Sequence, residues 1–171
     1  NVIKYSKKKT EIKRLLIPEK KKNFFIDNCL LVYTGIQRRA EPIEKDKLKN
    51  INKNRDNLIK MNKITLEAKN IFESNTIEFL PKIGELLQKS WKLKKQLSPM
   101  VSTSKIDKLY NFGMQNGAIG GKLLGAGGGG YILFLTKNKN DQKNLIKRLK
   151  NKVYFKIAEN INGSEIIYKD F

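Results

Sequence analysis

"GGKLLGAGGGGYILFL", residues 120–135, sets four consecutive glycines, Gly127 to Gly130, directly before Tyr131-Ile132-Leu133-Phe134-Leu135. Glycine loses more conformational freedom on folding than any other residue. A run of it therefore implies a need that only glycine meets: positive φ, or close approach of another group to the backbone. The apolar run bounded by these glycines predicts a strand over 131–136, and a shorter one precedes it around 119–124. A tight hairpin turn takes one or two glycines. Four of them, with Gly120, Gly121 and Gly125 beside them, clear side chains from a wide strip of backbone. Such a strip exposes amide N–H groups to an anion and points to phosphate or substrate contact.

Known phosphate loops test that reading. A Walker A loop needs G-x-x-x-x-G-K-[ST]; Gly121-Lys122 is followed by Leu123, and position 116 is Asn, so it fails twice. Gly125, Gly127 and Gly130 satisfy G-x-G-x-x-G literally. A dinucleotide loop must open a helix, however, and must be followed by an acidic residue about 20 positions later. Here a strand follows. A protein-kinase glycine loop does lie between strands, but no V-A-I-K, H-R-D or D-F-G accompanies it.

Outward from the hairpin, the last 70 residues or so read α-β-β-α-β-β. A helix starts at the Ser102-Thr103-Ser104 cluster, with Ser104 and Asp107 at capping-box spacing, and stops near Asn116-Gly117. Another helix covers 140–150, and strands fall near 153–157 and 164–168. That order suits an α+β fold with an antiparallel sheet and helices on one face. Pro81 suits the first turn of a helix over 81–97 with Ile83, Leu86, Leu87, Trp91 and Leu97 on its inner stripe. Lys94 falls in the same phase, where a lysine is unusual unless its stem snorkels outward. Residues 43–72 read as one long polar helix facing the core through Leu48, Ile51, Leu58, Met61 and Leu66. Residues 2–5, 11–17 and 24–34 read as strands.

With 171 residues the chain is long enough for one sizeable core. The net charge is +20, and lysine outnumbers arginine about six to one. An anionic partner would explain the charge. So would A- and T-rich codons, which spell Lys, Asn and Ile, and the lysines spread along the whole chain. Charge alone does not choose between these readings. One cysteine, Cys29, leaves no internal disulfide and suits a reducing, cytoplasmic compartment. No apolar run approaches a membrane span and no signal peptide is visible. The chain begins at Asn1 rather than Met, which raises the expectation of a fragment. It has no histidine, so there is no imidazole base, and the acidic residues offer no defensible catalytic pair or metal set.

"GGKLLGAGGGGYILF" (120–134) closely resembles the third conserved motif of the GHMP kinases, the galactokinase, homoserine, mevalonate and phosphomevalonate kinase family. "YTGIQRRA" (33–40), "WKLKKQLS" (91–98) and "NGAIGGKLLGAGGGG" (116–130) together resemble the D-glycero-D-manno-heptose 7-phosphate kinase branch of that family. The resemblance runs from about residue 11 to residue 168. Tyr131 stands where many members have Phe or Cys.

The resemblance implies a ferredoxin-like GHMP carboxy-terminal domain over 41–171, preceded in 1–40 by the last strands of an amino-terminal domain. It implies transfer of the γ-phosphoryl of ATP, with Mg²⁺, to a sugar hydroxyl in nucleotide-activated heptose synthesis. The nucleotide loop P-x-x-x-G-L-G-S-S, the catalytic aspartate and the magnesium ligands of such enzymes lie in the amino-terminal half. None occurs here, so no catalytic or metal-binding residue is expected, and the chain alone is expected to be inactive. Carried onto this sequence, Gly125, Ala126, Gly127, Gly128 and Gly129 would contact the transferred phosphoryl. Arg38, Arg39 and Lys94 would clamp the substrate phosphate, and Lys122 would support the loop or face the cleft. The expected partners are ATP, a sugar phosphate and the missing half; neither a membrane nor nucleic acid is expected. Another GHMP kinase, galactokinase-like or of the mevalonate pathway, is the alternative, and a basic nucleic-acid module a more distant one.

Overall fold

The computed structural model describes residues 1–76 and 78–158. The glycine hairpin forms as its residues require. Strands β4 (Ala118–Leu123) and β5 (Tyr131–Thr136) pair antiparallel, with Lys122 opposite Leu133, and β5 begins directly after Gly130. Two further strands are described, β3 (Cys29–Tyr33) and β6 (Tyr154–Lys156), and they complete a four-stranded antiparallel sheet in the order β4-β5-β3-β6. The strand expected near 164–168 lies outside the described residues. Residues 1–40 were expected to belong with another domain, yet β3, within that segment, is hydrogen-bonded between β5 and β6. Among the described residues, strands β1 (Val2–Tyr5) and β2 (Thr10–Lys13) pair only with each other.

Strand alternation assigns the sheet's two faces. Leu30, Val32, Ile132, Phe134 and Leu123 line one face. They pack against Ile106 of α5 (Ser104–Gln115) and Leu145 and Leu149 of α6 (Lys139–Leu149). Cys29 and Leu135 line the other, packed on Phe79, Leu80 and Ile83 of α4 (Phe79–Gln96), with Phe25, Ile71 and Phe72 behind. The α+β architecture with an antiparallel sheet therefore holds, and its helices lie on both faces rather than one. The second face is covered chiefly by α4, an expected helix, and α1 (Glu19–Asp27), over residues that read locally as strand, adds to it. Phe24-Phe25-Ile26 is locally strand-like, yet α1 starts behind Pro18 with Glu19 in its first turn. Phe25 then meets the rings of Phe72 and Phe79, edge-on in the first case, and that packing overrides the local preference.

The long helix expected over 43–72 is two: α2 (Glu41–Lys49) and α3 (Arg55–Glu73). The break falls on Asn50 to Asn54. Buried Asn54 uses its side chain to donate to the Leu97 carbonyl at 2.8 Å, a tertiary bond that an uninterrupted helix would not permit. Of the expected inner stripe, Leu48, Ile51, Leu58 and Leu66 are exposed and Met61 is half-buried, while Ile43, Ile71 and Phe72 face inward. The cap of α5 shifts by one residue: Thr103, not Ser104, accepts from the Ile106 amide, and Asp107 binds Ser102 and Lys95.

One contact positions the site. Helix α4 lies directly on β4, because Gly84 and Gly120 let the two backbones touch. A Cβ on Gly84 would stand 2.8 Å from the Ile119 carbonyl oxygen. The Gln88 side chain donates to that same oxygen at 2.9 Å. This register carries Ser90 and Lys94 along β4 to the underside of the glycine loop.

Candidate functional site

The hairpin closes where the Leu124 amide donates to the Tyr131 carbonyl at 2.9 Å. Between them Gly125, Gly127, Gly128 and Gly130 all take positive φ. The need is clearest at Gly128 (φ +72°), where a Cβ would lie 2.6 Å from Cδ1 of core residue Ile43. The loop is pinned from two sides. The Gly128 amide donates to the Val101 carbonyl at 2.8 Å, in the 3-10 turn Pro99–Val101. The Gly130 amide donates to the Ile36 carbonyl at 2.9 Å. Thr34 returns two bonds to the Gly130 carbonyl, from its amide at 2.9 Å and its hydroxyl at 2.8 Å.

Among the described residues, the amides of Gly125, Ala126, Gly127 and Gly129 have no hydrogen-bond acceptor. These residues line a cavity of about 480 Å³ together with Tyr33, Arg38 and Tyr131. The rings of Tyr33 and Tyr131 lie 5.2 Å apart along one wall. No acidic side chain lines the cavity. Free backbone donors beside a guanidinium, with no carboxylate to compete, make a receptor for an anion. A larger cavity of about 970 Å³ lies between α1 and the start of α4, away from the loop. Of its two lysines, Lys20 and Lys21, the second already donates to the carbonyls of Ile71, Phe72 and Ser74, and Glu19 and Asp27 line the same cavity.

The cations expected to clamp phosphate separate by position. Arg38 lines the loop cavity, and its Cδ would meet a Cβ on Gly128 at 3.2 Å. Arg39 is exposed and does not line it. Lys94 is buried at 7% exposure beneath the loop, its ammonium donating to the carbonyls of Leu123 at 2.8 Å and Gly125 at 2.6 Å. Burial, then repulsion from Lys122 and Lys47, holds that ammonium down to about 8, opposed weakly by Glu44. Lys122 points to the same side and donates to the Ser90 hydroxyl at 3.1 Å; burial lowers its pKa too. Lys47 was not marked in the sequence. It donates to the Ala126 carbonyl at 2.5 Å and to Glu44 at 2.9 Å. Nothing in the polar pattern of α2 distinguishes Lys47 from its neighbouring lysines, so its role emerges only from how α2 docks.

The free loop amides and Arg38 are the groups here that could hold an anion such as a phosphate. Among the described residues no group of three or more His, Cys, Asp or Glu could hold a metal ion.

Residues 71–155 match the family described as GHMP kinases C terminal. The chain is 32% identical over 121 residues to a D-glycero-alpha-D-manno-heptose 7-phosphate kinase of Campylobacter jejuni, covering 71% of this chain and 35% of that one. It is 33% identical over 130 residues to a bifunctional fucokinase/GDP-fucose pyrophosphorylase of Arabidopsis thaliana, covering 75% of this chain and 12% of the other. The crystal structure of the Methanococcus jannaschii mevalonate kinase superposes with a TM-score of 0.62 at 25% identity, over 90% of this chain and 45% of that one. This chain thus spans about a third or less of the two curated relatives.

Proposed function

This chain belongs to the GHMP kinases through the carboxy-terminal domain matched by residues 71–155, and from that premise we propose that it serves a sugar-phosphate kinase. The reaction would move the γ-phosphoryl of ATP to a hydroxyl of D-glycero-D-manno-heptose 7-phosphate. The observation that carries the reading is that Ala126, Gly127 and Gly129, whose amides have no acceptor among the described residues, line a cavity that Arg38 borders and no acidic side chain lines. Likeness to the Campylobacter jejuni heptose 7-phosphate kinase supports the substrate. Likeness to a fucokinase and to a mevalonate kinase supports the alternative, a GHMP kinase for an unphosphorylated acceptor.

In this reading ATP supplies the phosphoryl group, and Mg²⁺ is held by residues other than those described here. The chain's own contribution is electrostatic. The loop amides, fixed in place before substrate arrives, receive the negative charge of the phosphoryl oxygens without reorganising. Arg38 offers two parallel donors to the phosphate that the sugar brings with it. Arg39, one residue on, does not line the cavity and is left out of this clamp. The nucleotide loop and the base come from an amino-terminal domain. The β1–β2 hairpin, bonded to no other strand among the described residues, belongs with that domain, whereas β3 serves the four-stranded sheet. Cys29, buried and unpaired, accords with a cytoplasmic setting.

An ATP-dependent assay tests both parts. The chain alone and a longer protein joining it to an amino-terminal GHMP half are each supplied with heptose 7-phosphate, fucose or mevalonate. We expect turnover only in the joined protein, and with the heptose phosphate. Turnover by the lone chain overturns the division of labour. A preference for fucose or mevalonate overturns the substrate.

A further inference from the structure

A loop that binds an anion through its amides carries an equal number of carbonyls, and each one turned toward the anion repels it. How this loop disposes of its carbonyls is therefore part of how it works. The carbonyls of Leu123 and Gly125 converge on the Lys94 ammonium at 2.8 and 2.6 Å. The Ala126 carbonyl is taken by Lys47 at 2.5 Å, and the Gly130 carbonyl by Thr34. Neither Lys94 nor Lys47 lines the cavity. Both approach from the protein side, Lys94 from α4 and Lys47 from α2.

Lys94 has no carboxylate partner among the described residues, and every bond it makes is to a carbonyl of this hairpin. A buried ammonium without a counter-ion weakens a fold, and an apolar side chain of similar length would fill the same space more stably. The penalty is visible in the depression of its pKa to about 8. A lysine that costs stability and holds only loop carbonyls is accounted for by what the loop does.

Resting on the phosphate reading above, we propose that Lys94, assisted by Lys47, is a positioning residue. Lys94 turns the Gly125 carbonyl inward and Lys47 the Ala126 carbonyl, so that across each trans peptide the amides of Ala126 and Gly127 point the other way and are the groups an anion meets. The two ammonium groups also leave positive charge directly behind the loop. Lys94 itself never touches the ligand.

Lys94→Met keeps the length of the side chain and removes the donors, and the 171-residue chain is the test protein. Two measurements separate this proposal from the reading it rests on. In the first, with no ligand present, amide hydrogen exchange is followed by NMR. The Gly128 and Gly130 amides should exchange at least about tenfold faster in the variant, a local opening, while the β3–β5 ladder stays protected. Unchanged protection at Gly128 and Gly130 overturns the proposal, as does a general loss across the sheet, which would make Lys94 an ordinary packing residue. In the second, inorganic pyrophosphate is titrated while the Ala126, Gly127 and Gly129 amide shifts are followed. Wild type should respond, and Lys94→Met should bind at least about fivefold more weakly. Lys94→Gln, which keeps one neutral donor, should fall between. Equal affinity in wild type and Lys94→Met overturns the proposal. No response in wild type overturns the anion reading instead, while the exchange measurement still decides the positioning.

Discussion

Placing alanine at Gly128 and, separately, at Gly125 tests how this loop is built. Both glycines sit at similar positive φ, +72° and +65°, so both alanines carry the left-handed penalty of about 1–2 kcal/mol. Their surroundings differ. Nothing lies within 4 Å of a Cβ at Gly125. At Gly128 the same atom would stand 2.6 Å from Cδ1 of Ile43 and 3.2 Å from the Met100 carbonyl oxygen. Ile43 is 1% exposed and cannot swing into solvent, so overpacking adds about 1–3 kcal/mol. Gly125→Ala should therefore cost about 1–2 kcal/mol and Gly128→Ala about 2–5 kcal/mol, measured by urea unfolding with an unchanged m-value. The loop's position outside the sheet suggests a fold indifferent to Gly128→Ala, but the contact with Ile43 argues otherwise. In a complete enzyme Gly128→Ala should also reduce turnover at least about tenfold, equivalent to ~1.4 kcal/mol of transition-state stabilisation. Equal stability losses for the two variants would refute the reasoning, since they would mean that Ile43 yields and only backbone strain is felt.

The Lys94 ammonium titrates near 8 in the folded chain against 10.5 ordinarily, so between those values the unfolded chain holds more protons. Its contribution to stability is present above about pH 10.5 and is lost as pH falls through about 8. Burial raises Cys29 to about 12 and raises Tyr110 as well, which act in the opposite sense at high pH. The difference between wild type and Lys94→Met isolates the lysine and should move in favour of wild type by about 2 kcal/mol from pH 7 to 10, up to ~1.4 kcal/mol per unit; parallel stability curves would contradict it. Arg38→Ala in the complete enzyme should raise KM for the sugar phosphate several-fold with little change in kcat, having removed a ground-state contact. An equal fall in kcat and kcat/KM would move Arg38 into the transition state.

Much of this molecule was legible because it is locally encoded. Glycines that must take positive φ, followed by an apolar run, define a hairpin whatever surrounds it, and β4 and β5 lie where the sequence places them. Asn116-Gly117 ends α5 for a similar reason: Gly117 supplies the φ of +115° that closes a helix. Lys94 was legible as an anomaly, a lysine in the phase of Leu87 and Trp91. The missed parts depended on distant partners. Phe24-Phe25-Ile26 resembles a strand until Phe72 and Phe79 are there to receive Phe25. Leu48, Ile51, Leu58 and Leu66 keep a helical phase, but the chain breaks at Asn54 because Leu97 offers a buried acceptor, and the stripe turns outward.

The sequence by itself determined the hairpin, the family likeness and the absence of any histidine, because these reside in residue type and short spacing. Tertiary structure alone decided what the cations do. Arg38 and Arg39 are adjacent in the chain, yet only Arg38 lines the loop cavity. Lys47 and Lys94 stand far apart in the chain, on different helices, yet both end beneath one loop. Sequence spacing sets which side chains share a helix face. It does not set which carbonyl an ammonium will meet, because that depends on how two elements dock. Here the docking of α4 on β4 is fixed by backbone contact at Gly84 and Gly120.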